Sequence, residues 1–201
     1  MPKQAWSQGL AAQNASGTLF TTYTTAKTVI NQQALYPVGA NTLAVGDSFT
    51  VTVLGGLSNI ATTPGTVTFQ VMMGTIVMWT SGAIQMNATA HTTIPFRLVV
   101  ELTVQLVNTT VGGAIAKMLG IGTLVGPMFT RTIAATDSWG RVSAADASVS
   151  DVTILVPITA PAQGTAFDST ITNNLDFWTG FSISNVGNGV QIHQYRVDGN
   201  N

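Results

Sequence analysis

The feature that most constrains this chain is an alternation of apolar and polar residues, clearest in the stretch RLVVELTVQLV from Arg97 to Val107. Successive side chains of a β-strand point to opposite faces of the sheet, so a period of two predicts a half-buried strand. The apolar side of this strand comprises Leu98, Val100, Leu102, Val104 and Leu106. The other side comprises Arg97, Glu101, Thr103 and Gln105, with Val99 as the exception.

The same alternation recurs in the segments DSFTVTV, GTVTFQVMM, ASVSDVTILVP, TGFSISNV and GVQIHQYRV. In the last of these, the pattern places His193 and Tyr195 on one face. Turn signals separate the segments, and the residues from Asn185 to Gly189 should join the last two strands as a hairpin. Only GGAIAKMLG could form a short helix. Many strands and frequent turns predict an all-β chain, an antiparallel β-sandwich or barrel in one domain.

The first thirty residues have a different character, because they are small and polar with widely spaced aromatic residues. We expect an extended N-terminal arm over residues 1–30 and a single sandwich domain over residues 31–201. Trp6, Phe20 and Tyr23 lie along this arm. Aromatic side chains are common anchors at interfaces, so these three are candidate interface residues that tie the arm to a neighbour.

Charged residues are scarce, at 7% of the chain against roughly 25% in ordinary domains. A net charge of -1 gives little repulsion between copies, which favours association. The seven Lys and Arg residues are scattered, so we expect no direct nucleic-acid partner. No apolar run approaches a membrane span, and no cysteine is present for disulfides or thiolate metal sites.

A search for catalytic or metal-binding patterns gives none that is specific. His91 and His193 stand alone without metal-ligand spacing, and ordinary packing or polar roles fit them better. The candidate carboxylates for acid catalysis are Asp137, Asp146, Asp151, Asp168 and Asp176. Asp137 and Asp168 each precede Ser, which suits turn residues that bond their own backbone. We therefore predict no enzymatic activity, no cofactor and no metal.

Other motifs also fall short of a chemical signature. The stretch GIGTLVG lacks the spacing of a dinucleotide loop and the lysine of a phosphate loop. The sequence from Gly180 to Ser184 lacks the closing glycine of a nucleophile elbow. In LDFWTGF, alternation places Phe177 and Phe181 on one face and Trp178 on the other, which indicates a core pair and a candidate interface anchor. A sugar-binding platform is the alternative for Trp178.

Glu101 is the only glutamate in the chain, and it lies on the polar face of its strand. One interpretation is a surface residue paired with an arginine on a neighbouring strand or subunit. The other is a single interface charge that sets the register of an assembly. Both are architectural, and Glu101 joins the candidate interface residues.

Two segments, TTPGTVTFQVMMG and FDSTITNNLDFWTGFSISNVGNGVQIHQYRV, resemble uncharacterised virion structural proteins of tailed bacteriophages. In those proteins a final strand pair ends in an extended tail of the form Q-Y-x-V. The resemblance covers most of the chain from Phe20 onward and carries no catalytic signature. It implies a β-sandwich of jelly-roll type.

The resemblance also implies a structural subunit of a virion, made in the host cytoplasm. A capsid decoration protein fits the uncharged surface and the lack of a basic arm. Its expected partners are copies of itself, as a homotrimer or other closed oligomer, and other capsid or virion proteins. A shell-forming capsid subunit, a tail-associated subunit and a phage module that binds a host glycan or receptor remain as alternatives. For the last, Trp79, Trp139 and Trp178 are the candidate contact residues.

Overall fold

The computed structural model describes residues 7–13, 15–108, 112–129, 152–157 and 163–200, and these residues form two antiparallel β-sheets. A single turn of 3-10 helix spans Gln32–Ala34. No helix in the described ranges has the length and apolarity to cross a membrane. The strands are β1 Ser7–Gln13, β2 Phe20–Thr21, β3 Lys27–Thr28, β4 Tyr36–Val38, β5 Ser48–Asn59, β6 Thr66–Met73, β7 Ile76–Thr80, β8 Ile84–Gln85, β9 His91–Leu106, β10 Lys117–Gly126, β11 Val152–Val156, β12 Asn173–Phe181 and β13 Gly189–Asn200.

The order of strands is that of a jelly roll. Sheet A runs β1-β13-β5-β9-β10-β11 with β2 beside β13, and sheet B runs β3-β12-β6-β7 with β4 beside β12 and β8 beside β6. The pairs are nested, because β1 meets β13, β3 and β4 meet β12, β5 meets β9, and β6 meets β7. A long antiparallel hairpin rolled into two sheets gives this nesting. The prediction of an all-β, jelly-roll sandwich is confirmed, with β10 and β11 extending sheet A beyond β9.

The alternation in β9 marks the two faces of sheet A as the sequence predicts. Leu98, Val100 and Leu102 are fully buried between the sheets. Arg97 and Glu101 are exposed on the outer face of the sheet. Leu106 departs from the pattern, because it ends the strand and is 48% exposed.

The segment considered as a possible short helix forms no helix, and its last four residues, from Lys117 to Gly120, begin β10. Met118, Gly120, Gly122 and Leu124 alternate inward along this strand and are buried. Glycine adds nothing to a hydrophobic pattern, so the period of two was concealed in the sequence. The ladder with β9 supplies the backbone hydrogen bonds that a helix would have made.

The expected hairpin between the last two strands is also wrong, because β12 lies in sheet B and β13 in sheet A. The chain leaves β12 at Phe181 and crosses from one sheet to the other before Gly189. Asn188 is buried in this crossing. Its side-chain amide donates to the carbonyl oxygens of Pro64 and Ile183, at 3.0 and 3.1 Å. These bonds fix the crossing in the place of a tight turn.

The N-terminal stretch expected to form an arm is extended, but its described residues belong to the sandwich. Strand β1 pairs with β13 along its whole length, and β2 and β3 pair with β13 and β12. The side-chain amide of Gln13 donates from Nε2 to the Ile192 carbonyl at 3.1 Å, and its Oε1 accepts from the backbone N–H of Asn31 at 2.9 Å. The described residues before residue 31 are thus joined to both sheets by strand pairing, and the division of the chain at residue 30 stays a prediction.

Candidate interaction face

The outer surface of sheet B has no exposed charged side chain among the described residues of its strands. Inward positions of β6, such as Val67, Phe69 and Val71, are 0% exposed, so the alternate positions point outward. One row crosses the sheet from Thr28 through Trp178 and Gln70 to Thr80. We call this surface the Trp178 face, and it comprises Thr28, Thr66, Thr68, Gln70, Thr80, Asn174 and Trp178.

Trp178 is half-buried in this face, and Asp176 holds its indole in place. The indole N–H donates to Asp176 Oδ2 at 2.6 Å. Asp176 Oδ1 accepts from the Thr28 hydroxyl at 2.9 Å and from the Phe177 backbone N–H at 2.6 Å. The alternation of a strand places residues two apart on one face, so β12 itself brings the carboxylate beside the ring. The indole is thus oriented before any partner arrives.

Asp176 is itself only 8% exposed. Burial raises the pKa of Asp176 above its ordinary value, because removal from water penalises the charged form. The hydrogen bonds from Trp178, Thr28 and Phe177 act in the opposite direction and lower it. Asp176 is therefore a structural carboxylate whose ionisation is linked to folding.

We expect Asp176→Asn to remove a pH dependence of stability. Because the pKa is raised in the folded chain, the folded state binds this proton more tightly than the unfolded state does. The wild-type free energy of unfolding therefore carries a component that is largest below about pH 3.8 and falls as the pH rises through the raised pKa. Urea unfolding across this acidic range should show a shallower pH slope for the variant. Parallel profiles for the two proteins would contradict the assignment.

The aromatic residues expected to anchor an arm on a neighbour pack on their own chain. Tyr23 meets Phe181 edge to face at 5.3 Å, and its hydroxyl lies 2.5 Å from the Thr179 hydroxyl. The Lys27 ammonium lies 4.2 Å from the Tyr23 ring centre and 5.0 Å from that of Phe20. Burial raises the pKa of Tyr23 to about 12, although the Thr179 hydrogen bond lowers it. Phe20 and Tyr23 thus fasten β2 and β3 to the sandwich, and Trp6 lies outside the described residues.

Glu101 lies on the opposite surface, the outer face of sheet A. Its register neighbours are Thr50 on β5 and Ile121 on β10. Within the part of the chain that the structure describes, the one ion pair joins Arg196 to Asp198 at 2.7 Å. The expected partner arginine on an adjacent strand is thus not found, and the intersubunit interpretation stays a prediction.

The two histidines are not brought into a catalytic arrangement. The His91 backbone N–H donates to the Asn59 side chain at 3.0 Å, and His193 Nδ1 lies 3.0 Å from the Ser16 hydroxyl. His193 sits at a β-bulge, where the register against β5 shifts. The extra residue reverses the alternation, so Tyr195 is fully buried while His193 is not, and the expectation that they share a face is wrong.

The described carboxylates do not form a catalytic pair. Asp168 Oδ1 accepts from the Thr170 backbone N–H at 2.8 Å, which confirms that it is a turn residue. No group of three potential ligands from His, Asp or Glu is placed to hold a metal ion in the described ranges. The remaining candidates, Asp137, Asp146 and Asp151, lie outside those ranges.

Two other tryptophans were considered as contact residues. Trp79 is 4% exposed and packs between the sheets, so it cannot serve as a surface platform. Trp139 lies outside the described residues. Trp178 is therefore the described tryptophan available to a partner. Sequence reasoning identified it but missed Asp176 as its positioning residue, although the D-F-W spacing on a strand carries that signal.

Comparison with known proteins adds little to this geometry. No protein-family model matches the chain, and no curated protein does. Among solved structures, the chain is similar to the CBM2 module of the evolved Dit of Lactobacillus casei BL23 phage J-1. The identity is 8%, the match covers 97% of this chain and 96% of that one, and the TM-score is 0.33. The assignment of the fold therefore depends on the strand pairing described above.

Proposed function

We propose that this chain is a non-enzymatic structural subunit of a bacteriophage virion, a capsid decoration protein that attaches through the Trp178 face. The observation that carries the proposal is that the described strands of this face expose no charged side chain, since the carboxylate of Asp176 is buried and hydrogen-bonded. Hydroxyl and amide groups can be hydrogen-bonded across an interface, whereas an unpaired charge costs several kcal/mol to bury. The desolvation cost of covering a surface of Thr, Gln and Asn with another protein is therefore small.

Trp178 supplies the apolar anchor that such a surface needs. Tryptophan is enriched among the residues that contribute most to protein association, especially near the centre of an interface. Here Trp178 has neighbouring strands on both sides, with Thr28 in register on β3 and Gln70 in register on β6. Its bond to Asp176 reduces the entropy lost on binding, because the ring is already fixed.

The test is attachment to capsids assembled without this chain. Purified wild-type protein should co-sediment with those capsids, and Thr68→Asp, which adds a charge beside Trp178, should weaken attachment by about tenfold or more. Ser184→Asp is the matched control, because Ser184 is exposed in the crossing after β12 and lies off the face. Failure of the wild-type protein to bind, or equal binding by both variants, would overturn the proposal.

The same experiment addresses the virion alternatives. If capsids fail to form without the chain, a shell-forming subunit replaces the decoration protein. If the chain co-sediments with tails and not with heads, it is a tail-associated subunit. Both outcomes keep a virion role and move only the place of attachment.

Glycan binding is the second candidate function, and the half-buried indole among Thr and Gln side chains is the observation in its favour. A flat indole can stack on a sugar ring while hydroxyl and amide groups bond the sugar hydroxyls. Binding to a host glycan that is lost in Trp178→Ala, with no attachment of wild-type protein to virion parts, would favour this function.

A further inference from the structure

The outer face of sheet A carries two opposite charges on one strand, Arg97 and Glu101 of β9. Both side chains are exposed, and neither belongs to the ion pair found in the described residues. Four residues of extended chain separate them by about 13 Å, which is too far for a direct contact. Among the described residues, neither charge on this face therefore has an opposite charge bonded to it.

The spacing makes the face complementary to itself. A two-fold axis that lies between the two sheets, parallel to their planes and perpendicular to β9 above Val99, brings Arg97 of each copy opposite Glu101 of the other. In a two-fold interface, residue i meets residue j and residue j meets residue i, so one arrangement forms both ion pairs. Strand β9 suits such an axis because β5 and β13 lie on one side of it and β10 and β11 on the other.

The residues directly beside Val99 and Glu101 on the neighbouring strands are uncharged. Val99 has Thr52 and Thr123 as its register neighbours, and Glu101 has Thr50 and Ile121. Ile121 is 41% exposed and Leu155, beside Thr123 on β11, is 64% exposed. These apolar side chains would leave water on contact with a second copy. Arg196 and Asp198 lie on the same face but already satisfy each other.

The face is large enough for a stable dimer. The five strands from β13 to β11 span about 24 Å, and nine residues along the longer strands span about 30 Å. The product is about 700 Å², close to the roughly 800 Å² that each partner buries in a standard interface. Sheets packed face to face keep their strands within about 30° of each other, which the axis at Val99 permits.

We propose that two copies of this chain associate through the outer faces of their A sheets, about a two-fold axis at Val99, with reciprocal Arg97–Glu101 ion pairs. This surface is opposite the Trp178 face, so self-association and attachment to a larger particle use different sides of the sandwich. The inference concerns the chain in solution and does not depend on the proposed virion role.

The test is a charge-swap series measured by sedimentation across a range of protein concentrations. The wild-type chain should form a dimer. Arg97→Glu and Glu101→Arg should each weaken the dimer by about tenfold or more, because each variant sets like charges against each other at both contacts. The double variant carrying both changes should regain most of the wild-type affinity. Raised salt should weaken the wild-type dimer and strengthen the single variants.

Asn174→Glu provides the control, because it adds an exposed charge to the other sheet and should leave the dimer unchanged. Urea unfolding of each variant confirms that the sandwich is intact. A wild-type monomer throughout the series, a trimer, or a double variant as weak as the single ones would each overturn the inference. None of these outcomes bears on co-sedimentation with capsids, so the two proposals can fail separately.

Discussion

Phe69→Ala is expected to lower the free energy of unfolding by about 3–5 kcal/mol, the cost of deleting a buried phenylalanine together with the cavity it leaves. Phe69 is fully buried on β6 and lies at the centre of an aromatic cluster that joins the two sheets. Its ring centre is 5.3 Å from that of Phe96 on β9, 6.0 Å from Phe177 and 6.3 Å from Phe129. Since these rings belong to separate segments of the chain, little local collapse can fill the space.

Equilibrium urea unfolding of the wild-type and Phe69→Ala chains measures this loss. Phe20→Ala is the control, because Phe20 is partly exposed at the edge of sheet A and should cost less. A loss below that of Phe20→Ala would mean that the core closes around the missing ring. It would also show that the aromatic cluster does not determine the spacing of the sheets.

The sequence predicts the strands well because alternation is enforced wherever one face of a sheet is buried. Strand β9 illustrates this, since a shift by one residue would bury Arg97 and Glu101 and expose the leucines. The same logic fails at His193, where a single extra residue reverses the faces of β13. The bulge cannot be detected in the sequence of β13, because one side of its alternation is polar and the other side is mixed.

Which strands pair is less accessible to the sequence than where strands lie. Strands β12 and β13 are separated by a short polar segment that looks like a hairpin turn, yet they belong to different sheets. The crossing between the sheets is held by the buried Asn188, whose side chain donates to the carbonyl oxygen of Pro64, more than a hundred residues earlier. Such a long-range partner cannot be read from local turn chemistry.

In the candidate site too, the local sequence predicts some features, and others depend on strand pairing. Trp178 could be assigned to the face opposite Phe177 and Phe181 from alternation alone, and both phenylalanines are buried as expected. The burial of Asp176 could not be predicted from the sequence, because aspartate is ordinarily a surface residue. The spacing within β12 brings the indole beside the carboxylate, but the burial also depends on Thr28, whose contact appears only once β3 is placed beside β12.

Gly120→Ala is expected to lower the free energy of unfolding by about 1–3 kcal/mol through overpacking. A Cβ at Gly120 would lie 2.6 Å from Trp79 Cδ1 and 2.7 Å from Leu102 Cδ2, so the indole or the strand must move. A Cβ at Gly122 would likewise lie 2.8 Å from Trp79 Cζ2, at the far edge of the indole. Gly120 and Gly122, whose spacing does not fit a phosphate loop, therefore form the recess that admits Trp79 between the sheets.

Gly113→Ala is the matched control, since its Cβ would meet Asn108 Nδ2 at an ordinary 3.6 Å and should change stability little. A double-mutant cycle with Trp79→Phe identifies the cause of the loss. If the methyl group clashes with the indole, Gly120→Ala should cost less in the Trp79→Phe background than in the wild type. An equal cost in both backgrounds would assign the strain to Leu102. Because β10 also carries Ile121 and Thr123 outward, a strand displaced by this clash would change the outer face of sheet A as well, and the dimer proposed there should weaken in parallel.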